Sequence, residues 1–180
     1  MLTARKIELF NADNQRVKTL LLELFPERER LGMALLRFRS LSSMVDYFGY
    51  YDEANQFCGF TYVIHTDKMA FILYLAVDGT IQSKGYGSEI MRQVIQRHAG
   101  KEIVLNCEPL DDHADNAEQR VRRIRFYERL GLKVTEYQYV QGGDFPYAIM
   151  SSRSPFSAEE YKTLMKKFSL GTFNPDVRRK

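Results

Sequence analysis

The chain has 180 residues, 44% hydrophobic and 27% charged, with a formal charge of +3. That length suits one domain able to bury roughly 70% of its unfolded surface, and the composition excludes disordered, fibrous and collagen-like classes. The charge is too mild to argue for nucleic acid, and with no apolar stretch near the ~20 residues of a membrane span no membrane partner is expected.

Cys58 and Cys107 each sit in an apolar run, and two thiols make neither a disulfide framework nor a four-ligand zinc site. Both are expected to be buried and reduced. The N-terminal MLTARKIELF lacks an apolar segment and cleavage site. The expected location is the cytoplasm.

A short first strand is expected near Ile7 to Phe10. Val17, Leu20, Leu21, Leu24 and Phe25 then recur at helical spacing, with Asp13 as a candidate cap, and Leu31, Ala34, Leu35 and Phe38 predict a second helix with that apolar face inward. From Met44 the period changes. Met44 to Tyr51, Gln56 to His65 and Met69 to Val77 read as three strands in a meander, and the third is apolar on both alternating faces, as in a central strand.

Gly87 to Arg97 carries Ile90, Met91, Val94 and Ile95 at helical spacing and leads to a strand from Glu102 to Cys107. Strand, helix, strand predicts a right-handed parallel crossover. A helix from about Asn116 to Leu130, stopped by Gly131, precedes strands at Lys133 to Val140 and Phe145 to Ser151. Ser157-Ala158-Glu159-Glu160 has the form of a capping box for a last helix. No repeat or linker divides the chain, so one domain is expected over 1–180, with a core at about 5–151 and a helical extension at about 155–180.

The most informative segment is Gln82-Ser83-Lys84-Gly85-Tyr86-Gly87-Ser88, between the apolar strand and a helix. Glycines there let backbone N–H groups converge beside the positive end of the helix dipole, a setting that receives phosphate. It is neither a Walker loop nor a dinucleotide fingerprint. One strand and one helix later comes Arg123-Ile124-Arg125-Phe126-Tyr127-Glu128-Arg129-Leu130-Gly131-Leu132.

Together these two segments resemble the signature of the GNAT superfamily of acetyl-CoA-dependent N-acetyltransferases. Its pyrophosphate loop [RQ]-x-x-G-x-[GA] is matched by Gln82, Gly85 and Gly87, and its Tyr-Glu-x-x-Gly-Phe pattern by Tyr127 to Leu132. The order of elements agrees from Ile7 to about Ser151. The resemblance implies an α+β fold: a mixed, mostly antiparallel sheet of six or seven strands flanked by helices and splayed between the fourth and fifth. It also implies acetyl-CoA as acyl donor, with its pantetheine arm along Leu75, Ala76 and Val77 and its pyrophosphate on the loop from Gln82 through Ser83, Lys84, Gly85, Tyr86 and Gly87 to Ser88.

In the family a tyrosine placed like Tyr127 commonly protonates the departing thiolate, and a strand N–H, here near Val77, serves the oxyanion. The acceptor amine must lose a proton: with a pKa near 10.4 it is neutral about once in 2,500 molecules at pH 7. Glu108, ending its strand, is the candidate base, with Asp111, Asp112 and His113 as alternatives. Arg120 stands where relatives often carry asparagine, and Arg120 and Arg123 are candidates for a cofactor phosphate. Asn116 lies too far back to take that asparagine's role. His65, His98 and His113 show no metal spacing, so no metal is expected.

The acceptor is read as a small-molecule amine, because no acidic surface suggests docking a basic protein. A non-catalytic acyl-CoA-binding module on the same fold is the alternative. A homodimer fits family habit.

Overall fold

The computed structural model describes residues 1–81 and 85–180. They form two compact units, Met1–Ile64 with Leu73–Arg97, and His65–Ile72 with His98–Lys180. The fold is α+β, with five α-helices and an eight-stranded, mostly antiparallel sheet among the described residues, ordered β1-β2-β3-β4-β5-β7-β6-β8.

The first unit holds β1 (Thr3–Lys6), β2 (Val45–Tyr51), nearly all of β3 (Phe57–His65) and the second half of β4 (Met69–Val77). It also holds α1 (Asp13–Leu24), α2 (Met33–Arg39) and α3 (Tyr86–Arg97). On one face, Tyr47 donates to Asn14 Oδ1 of α1 at 3.2 Å and Tyr62 to the Leu36 carbonyl of α2 at 3.0 Å. Ile90 of α3 clusters instead with Leu2, Tyr50, Cys58 and Ile81. Helices therefore cover this part of the sheet on both faces.

Three local expectations are corrected here. The first strand is Thr3–Lys6, not Ile7 to Phe10: the Glu8 carbonyl is taken by Asn14 Nδ2 at 2.9 Å and that of Leu9 by Arg37 Nε at 2.6 Å, so the chain turns. Asp13 does not cap α1. Asn11 Oδ1 receives the Asp13 N–H at 2.8 Å, while the Asp13 carboxylate, buried, accepts from Tyr51 and from Arg16. In α2, Leu36 and Arg39 point inward, whereas Leu35 and Phe38 are 44% and 58% exposed. Hydrogen bonds set that rotation: Tyr74 accepts from Leu31 N–H at 2.8 Å and donates to the Glu29 carbonyl at 2.7 Å, pinning the chain just before so short a helix.

The second unit holds the start of β4 with β5 (Glu102–Cys107), β6 (Lys133–Gln141), β7 (Phe145–Ser151) and β8 (Asp176–Arg179), plus α4 (Ala117–Glu128) and α5 (Ala158–Phe168). β4 and β5 pair in parallel from Met69↔Glu102 to Ile72↔Leu105, and that ladder ends there. On its other side β5 stays paired with β7 as far as Cys107↔Ala148. β8, absent from the sequence reading, pairs with β6, and its arginines are held by Asp176 and Glu136 at 2.6 Å each. The capping box at Ser157 forms in half: Ser157 Oγ accepts from Glu160 N–H at 3.4 Å, but the Glu160 carboxylate goes to Lys68 Nζ at 2.7 Å.

Burial raises the phenols of Tyr47, Tyr62 and Tyr161, and that of Tyr74 to about 12, above the ordinary value of 10.0. The folded chain thus keeps protons that the unfolded chain surrenders. That stabilisation is complete below pH 10 and is lost as the pH climbs through the folded values. Urea midpoints measured across the alkaline range are expected to stay level, as far as these groups act, to about pH 10 and then fall steeply toward about pH 12. Among the described residues no helix is long and apolar enough to cross a membrane.

Candidate active site

Of the loop expected to hold pyrophosphate, Gln82, Ser83 and Lys84 lie outside the described residues. Gly85 is exposed with φ +74°, a conformation L side chains rarely adopt, which is why glycine stands there. α3 starts at Tyr86, and its first helical bond runs from Glu89 N–H to the Gly85 carbonyl at 3.1 Å. The N–H groups of Tyr86, Gly87 and Ser88 therefore precede the first intrahelical donor, Glu89, at the positive end of the dipole. Glu89, the one acid in this turn, has its carboxylate turned to the Leu2 N–H, and Gln93 Nε2 binds the Leu2 carbonyl at 2.9 Å. The local acid is occupied by Leu2, just before β1, rather than left to compete for an anion's place.

The end of β4 has a defined backbone orientation. A Cβ on Gly59 of β3 would stand 2.2 Å from the Ala76 oxygen, and Asp78 N–H donates to the Cys58 carbonyl at 2.9 Å. Ala76 and Asp78 thus direct their backbone groups toward β3. Along a strand, successive residues direct theirs to opposite edges. Leu75 and Val77 therefore offer N–H and C=O at the other edge, beyond the last β4–β5 pair, and Ala76 does not.

Tyr127 stands at the end of α4. Gly131, with φ +90°, donates to the Glu128 carbonyl at 3.0 Å, and Leu132 N–H reaches back to the Tyr127 carbonyl at 3.2 Å. This is the Schellman arrangement, which needs the left-handed glycine and favours an apolar residue after it; Leu132 is fully buried. The pattern Tyr127 to Leu132 is thus a helix terminator that fixes Tyr127 in the last turn. Burial pushes the Tyr127 phenol up to about 12, Arg123 opposing and Cys107 adding to the effect. Gly131→Ala is expected to cost on the order of 1 kcal/mol, read as a fall of about 2–4 °C in Tm.

Glu108, Arg120 and Arg123 come together. Arg123 Nη1 lies 2.9 Å from Glu108 Oε2 and Arg120 Nη2 3.4 Å from Oε1, and Asn116 Nδ2 donates to Oε2 at 3.2 Å. Arg120 Nε donates in turn to Asn116 Oδ1 at 2.7 Å and its Nη1 to the Pro109 carbonyl at 3.1 Å. Both guanidinium groups expected at a cofactor phosphate are spent on holding α4 against the end of β5. Glu108, expected as a base, has both oxygens engaged by them. Sequence reading set Asn116 aside; its spacing of four from Arg120 on one helix face was the signal that joins it to the cluster. Asp111 Oδ1 accepts from His113 N–H at 3.0 Å, and both residues lie outside this cluster.

Glu108→Gln separates the roles. As an anchor of α4, its loss strands two half-buried cations and is expected to cost on the order of 1–2 kcal/mol, seen in Tm. As a base, its loss would lower kcat at unchanged Tm.

The described residues thus carry a mixed sheet whose central parallel pair runs over four residues, a helix led by a left-handed glycine, and a tyrosine in the last turn of a capped helix. The family model described as acetyltransferase (GNAT) domain matches residues 45–134. The chain belongs to the GNAT acetyltransferase family.

Among solved structures, a GNAT-family protein from Bacteroides thetaiotaomicron is similar over 95% of this chain and 99% of its own, with TM-score 0.71 and 20% identity. The ribosomal-protein-S18-alanine N-acetyltransferase from Escherichia coli aligns over 88% of this chain and 97% of its own, with TM-score 0.62 and 17% identity. The PaiA N-acetyltransferase from Thermoplasma acidophilum, in complex with coenzyme A, aligns over 85% and 99%, with TM-score 0.58 and 17% identity. At such identities the likeness is one of fold. Among curated proteins no sequence match is found. Among the described residues no group of three or more His, Cys, Asp or Glu is placed to hold a metal ion.

Proposed function

We propose that residues 1–180 work as one N-acetyltransferase domain that takes acetyl-CoA as donor and a small-molecule amine as acceptor. The observation that carries this reading is Tyr127: a phenol fixed in the last turn of α4 and kept protonated by burial, at the position where the family's acid stands. Family membership and the coenzyme A in a structural neighbour support the donor.

The thioester supplies an activated carbonyl with a thiolate leaving group. In our reading the N–H groups of Tyr86, Gly87 and Ser88 receive the pyrophosphate, with Gln82, Ser83, Lys84 and Gly85 completing the loop. Leu75 and Val77 pair with the pantetheine amides through the free edge of β4, and the Val77 N–H faces the oxygen that gains charge. Tyr127 gives its proton to sulfur as the C–S bond breaks. The proton lost by the amine passes to water, because Glu108 would first have to leave Arg120 and Arg123. Those two arginines position α4, and hence Tyr127, instead of binding phosphate.

A screen of primary amines with acetyl-CoA, following thiol release, tests the reading. Release that depends on one class of amine is expected. Tight coenzyme A binding with no release for any amine would replace the enzyme with a binding module.

A further inference from the structure

One face of α1 borders a groove that the acetyl-transfer reading leaves unused. Arg16, Thr19, Leu20 and Glu23 recur at the three- and four-residue spacing of a helical face, and all four line a cavity of about 430 Å³ within the first unit. That volume falls in the range of small-molecule sites, roughly 300 to 1,000 Å³. Leu20 and Phe57, both buried, supply an apolar wall.

The charges of the groove are unequal. Arg16 is already held by the buried Asp13 at 2.9 Å, with its guanidinium over the Phe57 ring at 5.7 Å. Asp78 Oδ1 accepts from the Thr80 N–H at 2.9 Å and from the Thr80 hydroxyl at 2.7 Å, which orients the carboxylate without neutralising it. Among the described residues no cation pairs with Asp78 or Glu23, the two acids that line the groove. An acceptor carrying a carboxylate would meet like charge there, and an uncharged tail would cover two carboxylates without answering them. A second cation fits.

The groove also has a definite place on the sheet. Side chains alternate along β4, so Tyr74, Ala76 and Asp78 share one face, where Tyr74 meets the chain before α2. Leu75 and Val77 turn to the other, where they pack with Ile90 of α3. α3 and the groove therefore lie on opposite faces of β4. Asp78 directly follows Val77, whose N–H our reading turns to the thioester oxygen.

We propose that this groove is the specificity site for the acceptor and that the acceptor is polyamine-like: a primary amine with a second, cationic nitrogen a few methylenes away. Glu23 and Asp78 hold the remote ammonium, the methylenes lie on Leu20 and Phe57, and the near amine reaches the thioester from the face of β4 opposite α3. This rests on the acetyltransferase reading and names its substrate class. The groove takes no part in bond making. The near nitrogen, neutral, forms the C–N bond as the C–S bond breaks, Tyr127 protonates sulfur, and the surplus ammonium proton leaves to water.

The test uses the full chain, acetyl-CoA and two probes of equal length, 1,5-diaminopentane and 1-aminopentane. The parent is expected to favour the diamine about tenfold in kcat/KM, an advantage that shrinks with added salt as the groove's charges are screened. Glu23→Gln combined with Asp78→Asn, which keeps Oδ1 for Thr80, should cut that preference to about twofold, with acetyl-CoA Kd by calorimetry unchanged. If the double variant does not fold, Glu23→Gln alone, at an exposed position, decides. Glu27→Gln, exposed and outside the groove, is the charge control and should keep the preference. Equal kcat/KM for the two probes in the parent, or a preference that survives the groove variants, would overturn the proposal. Calorimetry of 1,5-diaminopentane onto the chain saturated with coenzyme A separates the two readings. Diamine binding that the groove variants abolish, without thiol release from any amine, would sink the acetyltransferase reading and leave the groove's occupant standing. Thiol release with 1-aminopentane and no binding of the diamine would sink the groove and leave the enzyme.

Discussion

Tyr127→Phe is expected to lower kcat by about 10² to 10⁴, with acetyl-CoA Kd and Tm close to those of the parent. The change removes one oxygen and leaves the ring, its edge contact with Phe126 and the Gly131 terminator intact. What is lost is the proton for the leaving sulfur. A phenol held at about 12 stays protonated across the physiological range, so the parent should show no loss of activity from this group below about pH 11. That high pKa makes it a weaker acid toward any base, so transfer to sulfur depends on the thiolate's own basicity rising out of water. Unchanged turnover in a chemistry-limited assay would remove Tyr127 from the mechanism.

The second large effect is expected at Gly59, far from any motif. A methyl there meets the Ala76 oxygen at 2.2 Å, and because that atom is backbone, β4 itself must move. Overpacking of this kind costs about 1–3 kcal/mol. The displaced segment is the one proposed to pair with pantetheine through Leu75 and Val77. Gly59→Ala should therefore weaken acetyl-CoA binding about tenfold or more beyond its effect on Tm. Gly49→Ala on β2 is the control. Its Cβ would meet only side-chain atoms, of Phe57, Tyr51 and Ile7, at 3.1 to 3.3 Å, and should lower Tm without changing acetyl-CoA affinity. Equal affinities in the two variants would contradict the assignment of the β4 edge.

What the sequence made legible was whatever depends on short-range pattern. β4 stood out because Met69–Val77 is apolar on both faces, and α3 and β5 followed from a change of period. The end of α4 was readable because a left-handed glycine has few other reasons to follow a helix. Rotation of α2 was not readable. Its apolar spacing pointed to Leu35 and Phe38, but two hydrogen bonds of Tyr74, distant in sequence, decided the matter. Long-range charge pairing was equally hidden: Glu108, Arg120 and Arg123 each looked like a free functional group, and only the packing of α4 on β5 shows that both arginines pair with the one carboxylate. Gly59 read as one more residue of an apolar strand, although an interior strand glycine is itself a sign of close backbone approach. β8 was masked by its arginines, which suit an edge strand as well as a solvated tail.

Calorimetric titration of the purified chain with acetyl-CoA, paired with thermal melting, bears most directly on the central claim that main-chain N–H groups at the start of α3 hold the donor's diphosphate. Saturable binding of one molecule per chain, with a rise in Tm that grows with ligand concentration and is reproduced by coenzyme A but not by pantetheine alone, is the expected result. Neither heat nor thermal protection at millimolar acetyl-CoA would contradict it.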